Sequence, residues 1–111
     1  TQDAAGTSEG TLHIYPEDDL SDITSTGGVY SIHFENNDND AEDWFISYSD
    51  DWMQLYYDSQ CTLPAEYIYA GQTTYLFLKV NQTDIIRSGA VIFTGESTGI
   101  DITLDIEQSA E

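Results

Sequence analysis

Gly99-Ile100-Asp101-Ile102-Thr103-Leu104-Asp105-Ile106-Glu107-Gln108 is the stretch that decides the fold. Ile100, Ile102, Leu104 and Ile106 alternate with Asp101, Thr103, Asp105 and Glu107, so every second side chain suits an apolar face and the others suit water. That period belongs to a strand with one face on a core. Weaker alternation recurs upstream. Tyr30, Ile32 and Phe34 alternate with Ser31, His33 and Glu35; Leu12 and Ile14 with Thr11, His13 and Tyr15; Leu76, Leu78 and Val80 with Tyr75, Phe77 and Lys79. Trp44 to Tyr48, Met53 to Tyr57 and Ala90 to Thr94 bring the set to about seven strands. Short strands bury their apolar faces by stacking as two sheets. The expected fold is therefore all-β, an immunoglobulin-like β-sandwich of about seven antiparallel strands, with a small barrel as the alternative.

The residues between these runs behave as punctuation. Gly27-Gly28 precedes a strand, Asn36 to Asp43 forms a loop, Ser49-Asp50-Asp51 a tight turn, and Gly95 to Gly99 a hairpin connection. Asp58 to Gln72 is long for a link in a small sandwich, and its Cys61, Leu63, Tyr67, Ile68 and Tyr69 are too apolar for a solvated linker. An edge strand or a packed loop is expected there. Residues 1–10 are small and polar and read as a flexible N-terminal segment before a single sandwich domain over 11–111. A chain that opens on Thr1 rather than Met reads as a mature or excised fragment.

The 111 residues carry 21 Asp and Glu against Lys79 and Arg87, a formal charge of −19. Apolar residues make up 40% and aromatics 13%, enough for a core, so an acidic disordered tail is excluded. Two cations cannot displace the counterions of a phosphate backbone. Nucleic acid is excluded as a partner, and so is contact of this chain with an anionic membrane. No apolar run approaches the roughly 20 residues of a membrane-crossing helix. Cys61 is single and forms no internal disulfide.

Several patterns bear on chemistry. Gly95-Glu96-Ser97-Thr98-Gly99 matches the G-x-S-x-G nucleophile elbow, but a strand rather than a helix follows it and no histidine lies downstream, so serine catalysis is set aside. Asn36-x-Asp38-x-Asp40 opens like a calcium loop, then departs from it with Ala41 at the sixth position and Ser47 at the twelfth. Calcium is kept as a candidate cofactor with Asp38, Asp40 and Asp43 as ligands, and with it the alternative of a calcium-stabilised adhesive subunit. No other cofactor is expected. His13 and His33 sit singly on strands without a zinc-ligand spacing. Pairs of carboxylates are easy to find among so many, and a sandwich of this size has little chain left for a glycosidase cleft, so a non-catalytic protein is expected and an enzyme is the remote alternative. Aromatic rings can stack on sugars while carboxylates take hydroxyls. Trp44, in phase with Ile46, belongs to a core, whereas Tyr67 and Tyr69, with Glu66 beside them, are the candidate ligand-binding residues. Tyr15, Tyr75 and Phe77 also fall opposite the apolar alternation. Asn81-Gln82-Thr83 is an N-glycosylation pattern.

The order of landmarks resembles the BACON domain, the family named "Bacteroidetes-associated carbohydrate-binding often N-terminal". Those landmarks are Gly27-Gly28, an Asn-rich turn into Trp44, Trp52 followed by Met53 and Leu55, Val80-Asn81, Arg87-Ser88-Gly89-Ala90-Val91-Ile92, and Ile106-Glu107-Gln108-Ser109-Ala110. The resemblance spans Ser25 to Ala110. It implies an immunoglobulin-like sandwich in a secreted or surface-attached bacterial protein, with a lipoprotein anchor outside this fragment and other domains beside it. Its implied role is adhesion to glycans or mucin, or that of a spacer. Trp44, Trp52, Asn81, Arg87 and Gln108 then become structural marks, with Arg87 bridging carboxylates or loop carbonyls and the Asn81 side chain turning the backbone. The chain departs from the family in its long aromatic segment Asp58 to Gln72, its acidity, and an added strand at Thr11 to Tyr15.

Overall fold

The alternating runs become two stacked antiparallel sheets. A computed structural model of the chain describes residues 7–9, 12–17 and 20–109. Among them nine strands follow one another with no helix: β1 (Thr7–Glu9), β2 (Leu12–Pro16), β3 (Gly28–Asn36), β4 (Trp44–Tyr48), β5 (Met53–Tyr56), β6 (Tyr67–Ile68), β7 (Gln72–Val80), β8 (Arg87–Gly95) and β9 (Asp101–Gln108). One sheet has the order β1-β2-β3-β7-β5 and the other β6-β4-β8-β9. Every ladder is antiparallel.

Alternation along each strand sends one set of side chains between the sheets. β9 alternates exposed and buried along its whole length, with Ile102, Leu104 and Ile106 inside and Asp101, Asp105 and Glu107 outside. Across the gap Phe34 of β3 meets Phe93 of β8 with ring centroids 5.4 Å apart and planes tilted by 59°. Each fully buried Leu, Ile or Phe contributes roughly 1.5–3 kcal/mol from leaving water. Such side chains from both sheets form one continuous core. The acidic stripe lies on an edge strand, where charge discourages pairing with another chain.

Three features add to the sequence reading. The segment 1–10, expected to be flexible, contains β1, which pairs with β2 through Thr7↔Ile14 and Glu9↔Leu12; residues 1–6 and 10 lie outside the described residues. Ser49-Asp50-Asp51 links strands of different sheets, β4 and β5, so it is a crossover between layers. Asp58 to Gln72 is both of the expected things in succession. The Asp58 carboxylate accepts from the Thr62 and Leu63 amides at 2.9 and 3.0 Å, Ala65 N–H bonds Leu55 O at 2.9 Å, and the two-residue β6 then adds an edge to β4.

Candidate functional site

Four of the five residues marked as structural meet at one end of the sandwich. Arg87 opens β8 beside its register partner Gln108, which closes β9. The guanidinium lies over the Trp52 ring, 4.3 Å from its centroid, and donates to Gln108 Oε1 at 2.9 Å and Asn81 O at 2.8 Å. Gln108 is buried, and its amide donates to Thr24 O at 3.0 Å and Asn81 O at 2.8 Å. Arg87 thus bridges loop carbonyls and a side-chain amide, and its planar fork suits that task. Asn81 takes part through its backbone, its N–H bonding Trp52 O at 3.0 Å. Gly89 explains the R-x-G spacing. A Cβ there would stand 2.8 Å from Trp52 and 2.7 Å from Met53, so glycine leaves room for the indole on which Arg87 stacks. The fifth mark, Trp44, is fully buried in the core.

The other end is closed by Glu42, a carboxylate to which the sequence assigns no structural role. Glu42 is in phase with Trp44 and Ile46, and it is buried. Ser97 and Thr98 N–H donate to Glu42 Oε1 at 2.6 and 3.0 Å, and the Thr98 hydroxyl donates to Oε2 at 2.8 Å. Burial pushes the Glu42 carboxyl up, but the Thr98 and Ser97 hydrogen bonds outweigh it and hold the pKa below its ordinary value. A Cβ at Gly95 would stand 2.8 Å from this carboxylate, so the glycine of G-x-S-x-G admits Glu42. The turn's amide donors are spent on a structural anion.

The calcium candidates are dispersed. Asp38 Oδ2 lies 3.0 Å from His13 Nε2, Asp43 Oδ1 accepts from Ala70 N–H at 2.9 Å, and Asp40 is exposed in the intervening turn. Among the described residues, no three His, Cys, Asp or Glu side chains come together to hold a metal ion. The donor set does not fit calcium's need for six to eight oxygens.

Tyr67 and Tyr69, by contrast, are brought together with two rings that sequence reasoning did not group with them. Within β6 the alternation buries Ile68 against the core and turns Tyr67 outward. Tyr67 and Tyr69 stack with centroids 5.7 Å apart, and Phe45, opposite Tyr67 in the β4–β6 ladder, lies 5.1 Å from it. Tyr57 completes the cluster: its hydroxyl accepts from the Glu66 and Tyr67 amides at 3.2 and 3.3 Å. Phe45, Tyr57 and Tyr69 are 38%, 39% and 46% exposed. Partial desolvation, with Tyr57, Tyr67, Asp43 and Glu66 nearby, pushes the Tyr69 hydroxyl pKa up from its ordinary value. Phe45 was detectable in the sequence as an apolar residue out of phase with Trp44 and Ile46. Tyr57 carried no such signal.

The outward face of the five-stranded sheet carries a different arrangement. Tyr15, His33 and Tyr75 are register partners across β2, β3 and β7. His33 stacks on Tyr75 at 4.8 Å and 11° and lies 5.7 Å from Tyr15, so these rings cover one another. Tyr75 is exposed and Tyr15 and Phe77 are half-buried.

No family model matches the chain, and no curated protein matches it. Among solved structures it is similar to a Bacteroides ovatus GH5 xyloglucanase in complex with an XXXG heptasaccharide, with a TM-score of 0.61 and 19% identity over 88% of this chain. The match covers 19% of that enzyme, so the chain spans about a fifth of its length. At this identity the likeness is one of fold.

Proposed function

We propose that the chain is a non-catalytic, BACON-like module of a larger secreted or surface-attached bacterial protein, and that it holds glycans through its aromatic edge. The observation that carries this reading is the cluster of Phe45, Tyr57, Tyr67 and Tyr69, outward-facing beside Glu66 and Asp43. Large, partly exposed rings with polar tips supply stacking area, and adjacent carboxylates supply acceptors for hydroxyls. The fold likeness supports the same reading, because a match over a fifth of a carbohydrate-active enzyme has the size of one accessory domain. The G-x-S-x-G amides are filled by Glu42, which leaves that turn no role in acyl chemistry.

A glycan array followed by calorimetry on the wild type and the Tyr67→Ala/Tyr69→Ala double variant tests the proposal. Binding that the double variant loses supports adhesion. Absence of binding to every host and plant glycan leaves the module as a spacer between domains. For location, the gene upstream of Thr1 is expected to encode a lipoprotein leader.

A further inference from the structure

The aromatic edge does not stand alone on its sheet. Register continues from Tyr67 to Phe45, from Phe45 to Thr94 and from Thr94 to Asp101, one residue on each of β6, β4, β8 and β9. Phe45 and Asp101 are exposed and Thr94 half-exposed. The Thr94 hydroxyl donates to Asp101 Oδ1 at 2.7 Å. A single row across the four-stranded sheet therefore runs from rings, through a hydroxyl, to a carboxylate with further acceptor capacity. Three strand spacings of about 4.8 Å make the row about 14 Å long, close to three pyranose units of about 5 Å each, and Tyr69, stacked on Tyr67, widens the ring end of it. Equatorially linked sugars form flat, extended chains that can lie along such a row, whereas helical α-linked chains curve away from it.

Charge selects further. Asp43 and Glu66 stand at the ring end and Asp101 at the other, on a protein of net charge −19 whose only cations are Lys79 and Arg87. Lys79 is on the other sheet, and Arg87 is engaged at the far end of β8. A uronate, sialate or sulfate on this row meets like charge within a Debye length of about 10 Å and no cation of this face.

Resting on the glycan-binding reading above, we infer that the ligand is a neutral, flat, β-linked glycan engaged over about three units, laid across the strands from Tyr67 to Asp101. Calorimetry with cello-oligosaccharides of two to six units, and with a β-1,4-linked tetraglucuronate, tests it at low salt. The expected Kd falls by about fivefold or more from disaccharide to trisaccharide, levels off beyond, and is at least about tenfold weaker for the tetraglucuronate than for the tetrasaccharide. Asp101→Ala, on an exposed edge position, is expected to weaken the trisaccharide by about threefold and leave the disaccharide unchanged, with circular dichroism confirming the fold. Equal affinity for the tetraglucuronate, no dependence on length, or failure of the cello-oligosaccharides while another glycan binds through Tyr67 and Tyr69 overturns this inference and leaves the adhesion reading intact. Binding of no glycan at all overturns both.

Discussion

The Arg87 end and the aromatic edge use the same kinds of residue to opposite ends. At the Arg87 end an indole, a guanidinium and an amide are turned on one another, and their hydrogen bonds run to carbonyls of the chain itself. At the aromatic edge four rings sit in a cluster whose outer surfaces face solvent, and Glu66 is exposed beside them. Residue type does not separate a clamp from a platform. What separates them is whether the ring faces are covered: Arg87 lies over Trp52, whereas Phe45, Tyr57 and Tyr69 keep surface open to solvent even though the Tyr57 hydroxyl is bonded within the fold.

That contrast can be broken in graded steps. Arg87→Met is expected to have the largest effect, costing about 2–4 kcal/mol because it removes charge-assisted bonds and leaves the buried Gln108 short of a donor. In a domain of this size the thermal midpoint falls by about 10–20 °C, measurable by calorimetry. Glu42→Gln is expected to cost less, about 1–2 kcal/mol, since the turn amides keep a neutral acceptor oxygen and only the Thr98 hydroxyl, which donates to the other carboxylate oxygen, loses its own. The Glu42 carboxyl is lowered in the folded state, so its contribution is fully present above the ordinary Glu pKa and is lost as pH falls through the lower, folded value. Acid titration of the two proteins should therefore converge at the acid limb. A glutamine variant that keeps the full pH difference from wild type down to the unfolded baseline contradicts the clamp. Tyr67→Ala/Tyr69→Ala should abolish glycan binding while moving the midpoint by less than about 4 °C, since Tyr69 makes surface contacts only. A larger drop would make the edge a second clamp. Asp105→Asn on the wet face of β9 should shift the midpoint upward by at most about 2 °C, because it relieves self-repulsion. Calcium should change the midpoint no more than an equal ionic strength of sodium salt does.

Much of this was legible in the sequence because strand alternation is a local signal. Ile100 to Ile106 needs no knowledge of its partners to declare a face. The long segment before Gln72 was legible as apolar, and Tyr67 and Tyr69 as sharing a side, since they are two residues apart. Phe45 and Tyr57 join them only through the β4–β6 ladder and through the Tyr57 hydroxyl reaching ten residues ahead, which are pairings that composition does not encode. Glu42 was hidden for a similar reason. Its partners lie 55 and 56 residues away, so no local pattern in an acidic chain announces the bond. The 7–9 strand was missed because small polar residues carry no alternation; they pair because β2 offers an edge.

The scarcity of cations has one consequence beyond electrostatics. Trypsin can cut this chain at two places only, after Lys79 and after Arg87. Lys79 sits inside β7, held on both sides by β3 and β5, and Arg87 lies in the β8–β9 ladder with its side chain clasped by Gln108. Neither bond can enter a protease cleft as an extended loop while the sandwich is intact. The rate of tryptic cleavage thus becomes a clock for the opening of the module, and three fragments are the most it can release.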